Sequence, residues 1–339
     1  MLIQQLIKFS LFQGPKPHIP KDLDWMTILS KSREEAVVAI VYDAILLLPE
    51  EERPNRKILL QWSSIVATIE KDYSLHAQSC IKLQQLFGSH HPECGSYPIP
   101  VVKGLKTANH YPIPNHREFG DIDLFSGQHT DLLTTLMEES SIKVDCSDSR
   151  HTSFYFNGAH FEAHRYLFYN EANNQLFSER IQQKGINKEL HALFVAAHME
   201  RHAVFFNEGL YLKDLLDWGM ILQQIDYSSF LEIKKSFEIE HFADLLTNYC
   251  CKLWDIELPK NCPQYNSSTI DKFPQMFVNR QKRHPLAIVR VAQRCIKYLT
   301  HNSIYKKIYG QSMFHRFYFN NVRKALTQLL KGQKREVRH

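Results

Sequence analysis

Apolar residues recur at helical spacing through most of the chain, and the spacing shifts to alternation only in a central stretch. Near the start, Leu2, Ile3, Leu6 and Ile7 share one face and predict a short amphipathic helix over residues 1–13, ended by Gly14-Pro15. Asp22 to Ser32 predicts a second helix around Trp25, Ile28 and Leu29. The run EEAVVAIVYDAILLL is apolar nearly all round and predicts a buried helix, with Pro49 ending it. Ser32 and Glu35, three apart, have the spacing of a capping box at its start. Arg56 to Phe87 predicts a long helix whose inner stripe is Leu59, Leu60, Trp62, Ile65, Val66, Ile69, Tyr73, Leu83 and Leu86. Trp25 and Trp62 read as core packing.

Near Gly88 the pattern changes. SHHPECGS is a polar loop, and its His90, His91 and Cys94 read as solvated rather than as metal ligands. Tyr97 to Val102, Asp121 to Phe125 and Ile142 to Cys146 predict strands; residues 105–110 and Asp131 to Glu139 predict helices. His151 to Asn157 and His160 to Phe168 predict a hairpin about Asn157-Gly158, a pair suited to a tight turn. From Asn187 onward helical spacing returns, through residue 255. Residues 256–275 read as a Pro- and Asn-rich loop, Pro285 to Leu299 and Met313 to Lys331 as further helices, and GQKREVRH as a frayed basic tail.

These elements predict an α+β fold with a small mixed sheet between helical regions. The expected division is a helical region over 1–90, an α/β core over 91–186, a helical domain over 187–331 and a tail over 332–339.

The composition, 44% hydrophobic and 12% aromatic over 339 residues, suits a globular chain with a substantial core. The net charge of +5 is mild, and basic residues are dispersed until the tail, so charge does not point to nucleic acid. Seven cysteines without a CxxC pair exclude a zinc ribbon or a dithiol redox motif and fit a reducing cytoplasm. The N-terminal helix is interrupted by Gln4, Gln5 and Lys8 and lacks a signal-peptide pattern; no stretch is apolar enough to span a membrane.

Chemistry concentrates in KGLKTANHYPIPNHREFGDIDLF, residues 103–125. Alternation puts Asp121 and Asp123 on one strand face. Two neighbouring carboxylates repel, and either basic side chains or a shared divalent cation relieves them; hard cations such as Mg²⁺ take carboxylate and phosphate oxygens together. In the second hairpin arm, parity puts His160, Glu162 and His164 on one face. On the following helix, His198 and His202 share a face at four-residue spacing, but HExxH is absent and zinc is not expected there.

The Lys103-Gly104 strand end, Tyr111-Pro112, Arg117 and Gly120-Asp121-Ile122-Asp123-Leu124 together resemble the uncharacterised bacterial nucleotidyltransferase family, a branch of the polymerase-beta-like superfamily. The resemblance spans roughly residues 25–225 and includes Glu162-x-His164. It implies an enzyme that uses Mg²⁺ (or Mn²⁺) to move a nucleoside monophosphate from an NTP such as ATP to a hydroxyl. Asp121, Asp123 and Glu162 are the implied metal-binding, catalytic carboxylates, with His164 as a ligand or as an orienter of Glu162. Lys103, Gly104, Lys106 and Arg117 are expected around the triphosphate, unless Arg117 instead pins its loop to the acidic strand. His198, Asp214 and Asp217 are expected at the nucleotide pocket, or in helix–helix hydrogen bonds that lock the C-terminal domain to the sheet. Leu105 departs from the hydroxyl or second glycine that many superfamily members carry after the first glycine. A small-molecule or glycan acceptor, by association with cell-surface polysaccharide metabolism, is favoured over nucleic acid. No protein partner is implied. A silent NTP-binding protein and a tRNA- or protein-modifying enzyme are the alternatives.

Overall fold

A capping box fails first. The computed structural model describes residues 2–94, 99–168, 171–206 and 209–278, together with the isolated positions Ile296, Leu299, Asn302 and Lys306. Helix α1 (Leu2–Leu11) buries Ile3, Leu6 and Ile7, and α2 (Trp25–Glu34) is capped by Asp24, which accepts the Met26 N–H at 2.9 Å. Because α2 runs to Glu34, Ser32 is an interior residue and donates to the Ile28 carbonyl at 2.8 Å. Ser32 and Glu35 therefore do not cap the next helix, α3 (Val38–Leu46). Ala36 turns the chain with φ 53°. The open Val38 N–H at the start of α3 is met instead by Glu118, 80 residues away, at 2.6 Å.

The long helix α4 (Arg56–His90) begins at Asn55, which accepts the Ile58 N–H at 3.1 Å. Trp62 is buried as expected and donates its indole N–H to the Val38 carbonyl at 3.0 Å. Leu60 is a correction: it is 60% exposed, off the inner stripe. The helix also continues through His90, which the loop reading had excluded.

The central elements are α5 (Leu105–Ala108), β1 (Asp121–Phe125), α6 (Thr130–Glu139), β2 (Val144–Asp145), β3 (His151–Phe156) and β4 (Ala159–His164). The four strands pair in the order β1-β4-β3-β2, with β1 parallel to β4 and the rest antiparallel. The hairpin turns at Asn157 (φ 49°) and Gly158 (φ 85°), both in the left-handed region that a tight turn requires. Two strands are shorter than expected. Ile142 to Cys146 contracts to two residues, and β4 stops at His164 rather than Phe168. The strand expected at Tyr97 to Val102 is, within its described part, a single antiparallel bridge from Val101 to Leu124. Pro100 has no N–H to extend that ladder, although its carbonyl accepts from Phe125 at 3.0 Å.

Helix α7 (Glu171–Lys184) was not anticipated, because its sequence NNQLFSERIQQK offers few apolar positions. Then follow α8 (Lys188–Glu200), a π-helical turn at Arg201–Phe206, α9 (Leu212–Leu222), α10 (Tyr227–Ser236) and α11 (Glu240–Trp254). The helices expected at Pro285 to Leu299 and Met313 to Lys331, and the tail, lie outside the described residues apart from isolated positions.

The sheet has two unlike faces. One carries Ile122, Leu124, Phe154, Phe161 and Ala163 and packs on Leu83, Phe87, Leu133, Leu136 and Met137 from α4 and α6. The other carries Asp121, Asp123, Glu162 and His164 and turns toward α8, where the His164 ring lies 5.8 Å from Phe194 and 6.2 Å from His198. Alternation along each strand makes this division.

Candidate active site

Parallel pairing of β1 with β4 sets Asp123 beside Glu162 and Asp121 beside His160. With the side-chain period of two, Asp121, Asp123 and Glu162 project from one face, and one oxygen of each lies within 4.8 Å of the others. Asp123 is fully buried, Glu162 is one-quarter exposed, and Asp121 is half-buried toward solvent.

Their hydrogen bonding is incomplete. Asp123 Oδ1 accepts from His164 Nε2 at 2.8 Å, while buried Oδ2 has no hydrogen-bond partner among the described residues. The Lys103 ammonium stands 3.8 Å from that oxygen. Burial acts against the Asp123 anion, but Lys103 and then His164 outweigh it and hold its pKa well below the carboxylate range. Glu162 goes the other way. Burial, then the charges of Asp123 and Asp121, push its carboxyl up to about 7. Three carboxylates this close repel one another, and a divalent cation would relieve the repulsion.

His164 is fully buried, and burial lowers its pKa, as it does for His198. His198 Nε2 lies 3.8 Å from Asp123 Oδ1, so a residue from α8 meets the strand carboxylate across the interface. Asp123, His164 and His198 also form a compact potential ligand group.

Gly104, at φ 68°, begins α5, and a Cβ there would stand 2.8 Å from the Asp121 carbonyl oxygen. Glycine is needed so that the Lys103-Gly104 turn can lie against β1. Lys103 follows from that turn and reaches the carboxylates. Lys106 does not: its ammonium donates to the Ile186 carbonyl at 3.2 Å.

Arg117 is 1% exposed and turned inward. Its Nε donates to Asp217 Oδ1 at 2.7 Å and an Nη to Oδ2 at 2.6 Å, a two-bond clamp, and the other Nη donates to the Gly104 carbonyl at 3.3 Å. Tyr111 adds a 2.6 Å bond to Asp217. The expected anchor of the Arg117 pin is corrected: it ties its loop to Asp217 of α9 rather than to the acidic strand, and braces the glycine turn. Asp214 closes the N-terminus of α9 by accepting the Tyr211 N–H at 2.9 Å, and its charge reaches Lys103.

Reading the sequence did not single out the helical wall beside Asp121. His76 and Tyr73 on α4, Phe119 before the strand and Lys213 on α9 gather there around a cavity of about 220 Å³. No local motif marks these residues, because they come from three separate segments.

No curated protein and no solved structure matches the chain. The family model described as "Uncharacterised nucleotidyltransferase" matches residues 21–255, which take in the whole carboxylate face, the glycine turn and the α8 and α9 wall. On that match the chain belongs to the uncharacterised nucleotidyltransferase family, enzymes that transfer phosphorus-containing groups.

Proposed function

We propose that this protein moves a nucleoside monophosphate from an NTP to a hydroxyl group, using Mg²⁺ or Mn²⁺ held by Asp121, Asp123 and Glu162. The observation that carries the reading is the buried Asp123 Oδ2 without a hydrogen-bond donor among the described residues, inside a group of three carboxylates where burial, then the Asp123 and Asp121 charges, push Glu162 to about 7. An all-oxygen donor set of this kind fits a hard divalent cation. When bound, such a cation supplies charge stabilisation to the transferring phosphoryl group and lowers the pKa of a coordinated hydroxyl.

The chain's own residues do the rest. Lys103 places a positive charge over the strand face, beside Asp123 and within the field of Asp121. His164 orients Asp123 through its 2.8 Å bond, as partners behind a metal ligand do. In place of holding the cation, Glu162, with a pKa near neutrality in the metal-free protein, is suited to take the proton of the acceptor hydroxyl. Arg117 and Asp217 hold the glycine turn against β1. A small-molecule or glycan acceptor is favoured because two of the basic groups at the site are committed, Arg117 to Asp217 and Lys103 to Asp123. Cytoplasmic residence accords with free thiols at Cys80, Cys94, Cys146, Cys250, Cys251 and Cys262. Among the described residues no helix is long and apolar enough to cross a membrane. The division into helical region, α/β core and C-terminal helical domain belongs to the same reading.

The test is calorimetric titration of each NTP with Mg²⁺ into wild type and an Asp121→Ala/Asp123→Ala variant, with pyrophosphate release followed in the same samples. Binding that requires both cation and aspartates, accompanied by pyrophosphate release, is expected. Equal binding by both proteins would refute the site, and binding without pyrophosphate release would make the protein a nucleotide binder.

A further inference from the structure

The cavity beside Asp121 has a ligand-binding character of its own. It is lined by Ile69, Asp72, Tyr73 and His76 of α4, by Phe119 and Gly120 leading into β1, and by Lys213 of α9. His76 is 8% exposed, and its Nδ1 is buried with no hydrogen-bond partner among the described residues. An orphaned polar atom at that depth costs stability unless something fills the need. Lys213 and the Tyr73 hydroxyl also belong to the wall, and three further polar groups are occupied or peripheral. Glu118 accepts the Val38 N–H, Arg117 is clamped by Asp217, and Asp72 is exposed at the rim.

Three aromatic rings stand together in this wall. His76 and Phe119 have centroids 5.0 Å apart at 35°, and Tyr73 meets Phe119 edge-on at 6.0 Å. Phe119 also lies 3.3 Å from the position a Cβ on Gly104 would take, so the wall adjoins the Lys103-Gly104 turn. The volume of about 220 Å³ falls below the roughly 300–1,000 Å³ of pockets that hold an entire small ligand. It suits one flat ring system with the remainder of the molecule outside, running past Gly120 to the carboxylates. A sugar ring, with a hydroxyl on nearly every carbon, would need several deep polar partners, and three of the lining side chains are aromatic rings instead.

The geometry points to this cavity as the seat of the donor's nucleobase, stacked on the Tyr73–Phe119–His76 wall and hydrogen-bonded by its edge to His76. This assignment rests on the nucleotidyl-transfer reading and extends it, because it gives α4, outside the sheet, the task of recognising the donor.

Calorimetry with Mg²⁺ separates the two claims. ATP, GTP, CTP, UTP and inorganic tripolyphosphate are titrated into wild type, His76→Ala and Tyr73→Leu, the latter keeping an apolar side chain on α4, with a thermal melt of each. The preferred NTP is expected to bind wild type at least about tenfold more tightly than tripolyphosphate, since stacking of one base is worth about that much. Both variants should lose about tenfold for that NTP and keep tripolyphosphate affinity within about twofold. NTP affinities unchanged in both folded variants, or tripolyphosphate binding as tight as any NTP in wild type, would overturn the base pocket alone. Failure of wild type to bind tripolyphosphate and every NTP with Mg²⁺ would overturn the underlying reading as well.

Discussion

Asp217 and Asp123 are both buried carboxylates beside the same glycine turn, and they are used in opposite ways. Asp217 is saturated: Arg117 covers both its oxygens and Tyr111 adds a third bond. Asp123 has one oxygen bonded to His164 and one left open, next to two further carboxylates. A buried charge whose hydrogen-bonding capacity is filled holds the fold together, and a buried charge with capacity to spare is available for a ligand. The contrast separates scaffold from site here, although both aspartates sit in runs of similar composition.

The sharpest way to break the comparison is to exchange what each region loses. Asp121→Asn should lower pyrophosphate release by about 10,000-fold, equivalent to about 5 kcal/mol, with the melting temperature nearly unchanged because Asp121 is half-exposed. A large fall in stability with turnover preserved would reverse the roles assigned above. Arg117→Leu should do the opposite kind of damage. Leaving Asp217 buried and unpaired costs about 3–5 kcal/mol in denaturant unfolding; a loss below about 1 kcal/mol would mean that the pin is dispensable.

Glu162 offers a test through pH. Its carboxyl keeps a proton in the folded protein up to about 7, whereas the ordinary value is 4.5. Between those values the folded state binds more protons than the unfolded chain, so this group's contribution to stability falls as pH rises through the window. In metal-free protein Glu162→Gln should therefore gain about 2–3 kcal/mol on wild type between pH 4.5 and pH 8, measured by urea unfolding. Saturating Mg²⁺ should shrink the gain, since a bound cation favours the carboxylate. A gain unaffected by Mg²⁺ would argue that Glu162 does not share the cation. The smallest effect is expected for His164→Ala, about 10- to 100-fold weaker Mn²⁺ affinity by titration, as the His164 bond orients Asp123 from behind.

Local pattern made much of this legible. Asp121, Asp123 and Glu162 follow from strand alternation, and the Asn157-Gly158 turn from a conformational requirement that reaches only two residues. Helices with a dense apolar stripe, such as α4 and α8, were equally readable. Helix α7 was not, because a nearly polar sequence carries little periodic signal. The supposed capping box misled because Ser32 and Glu35 have the right spacing but the wrong place in the helix. Pro100 was a visible warning against the first strand, since a proline cannot complete a ladder.

By itself the sequence determined which side chains share a strand or helix face, because alternation and helical period are properties of consecutive residues. It thereby determined the carboxylate face. Only the tertiary structure decided that Arg117 pins its loop to α9, that His198 comes within 3.8 Å of Asp123, and that His76, Phe119 and Lys213 line one cavity. Those outcomes depend on contacts between segments 40 to 140 residues apart, and no local period encodes the distance between two elements that pack across a core.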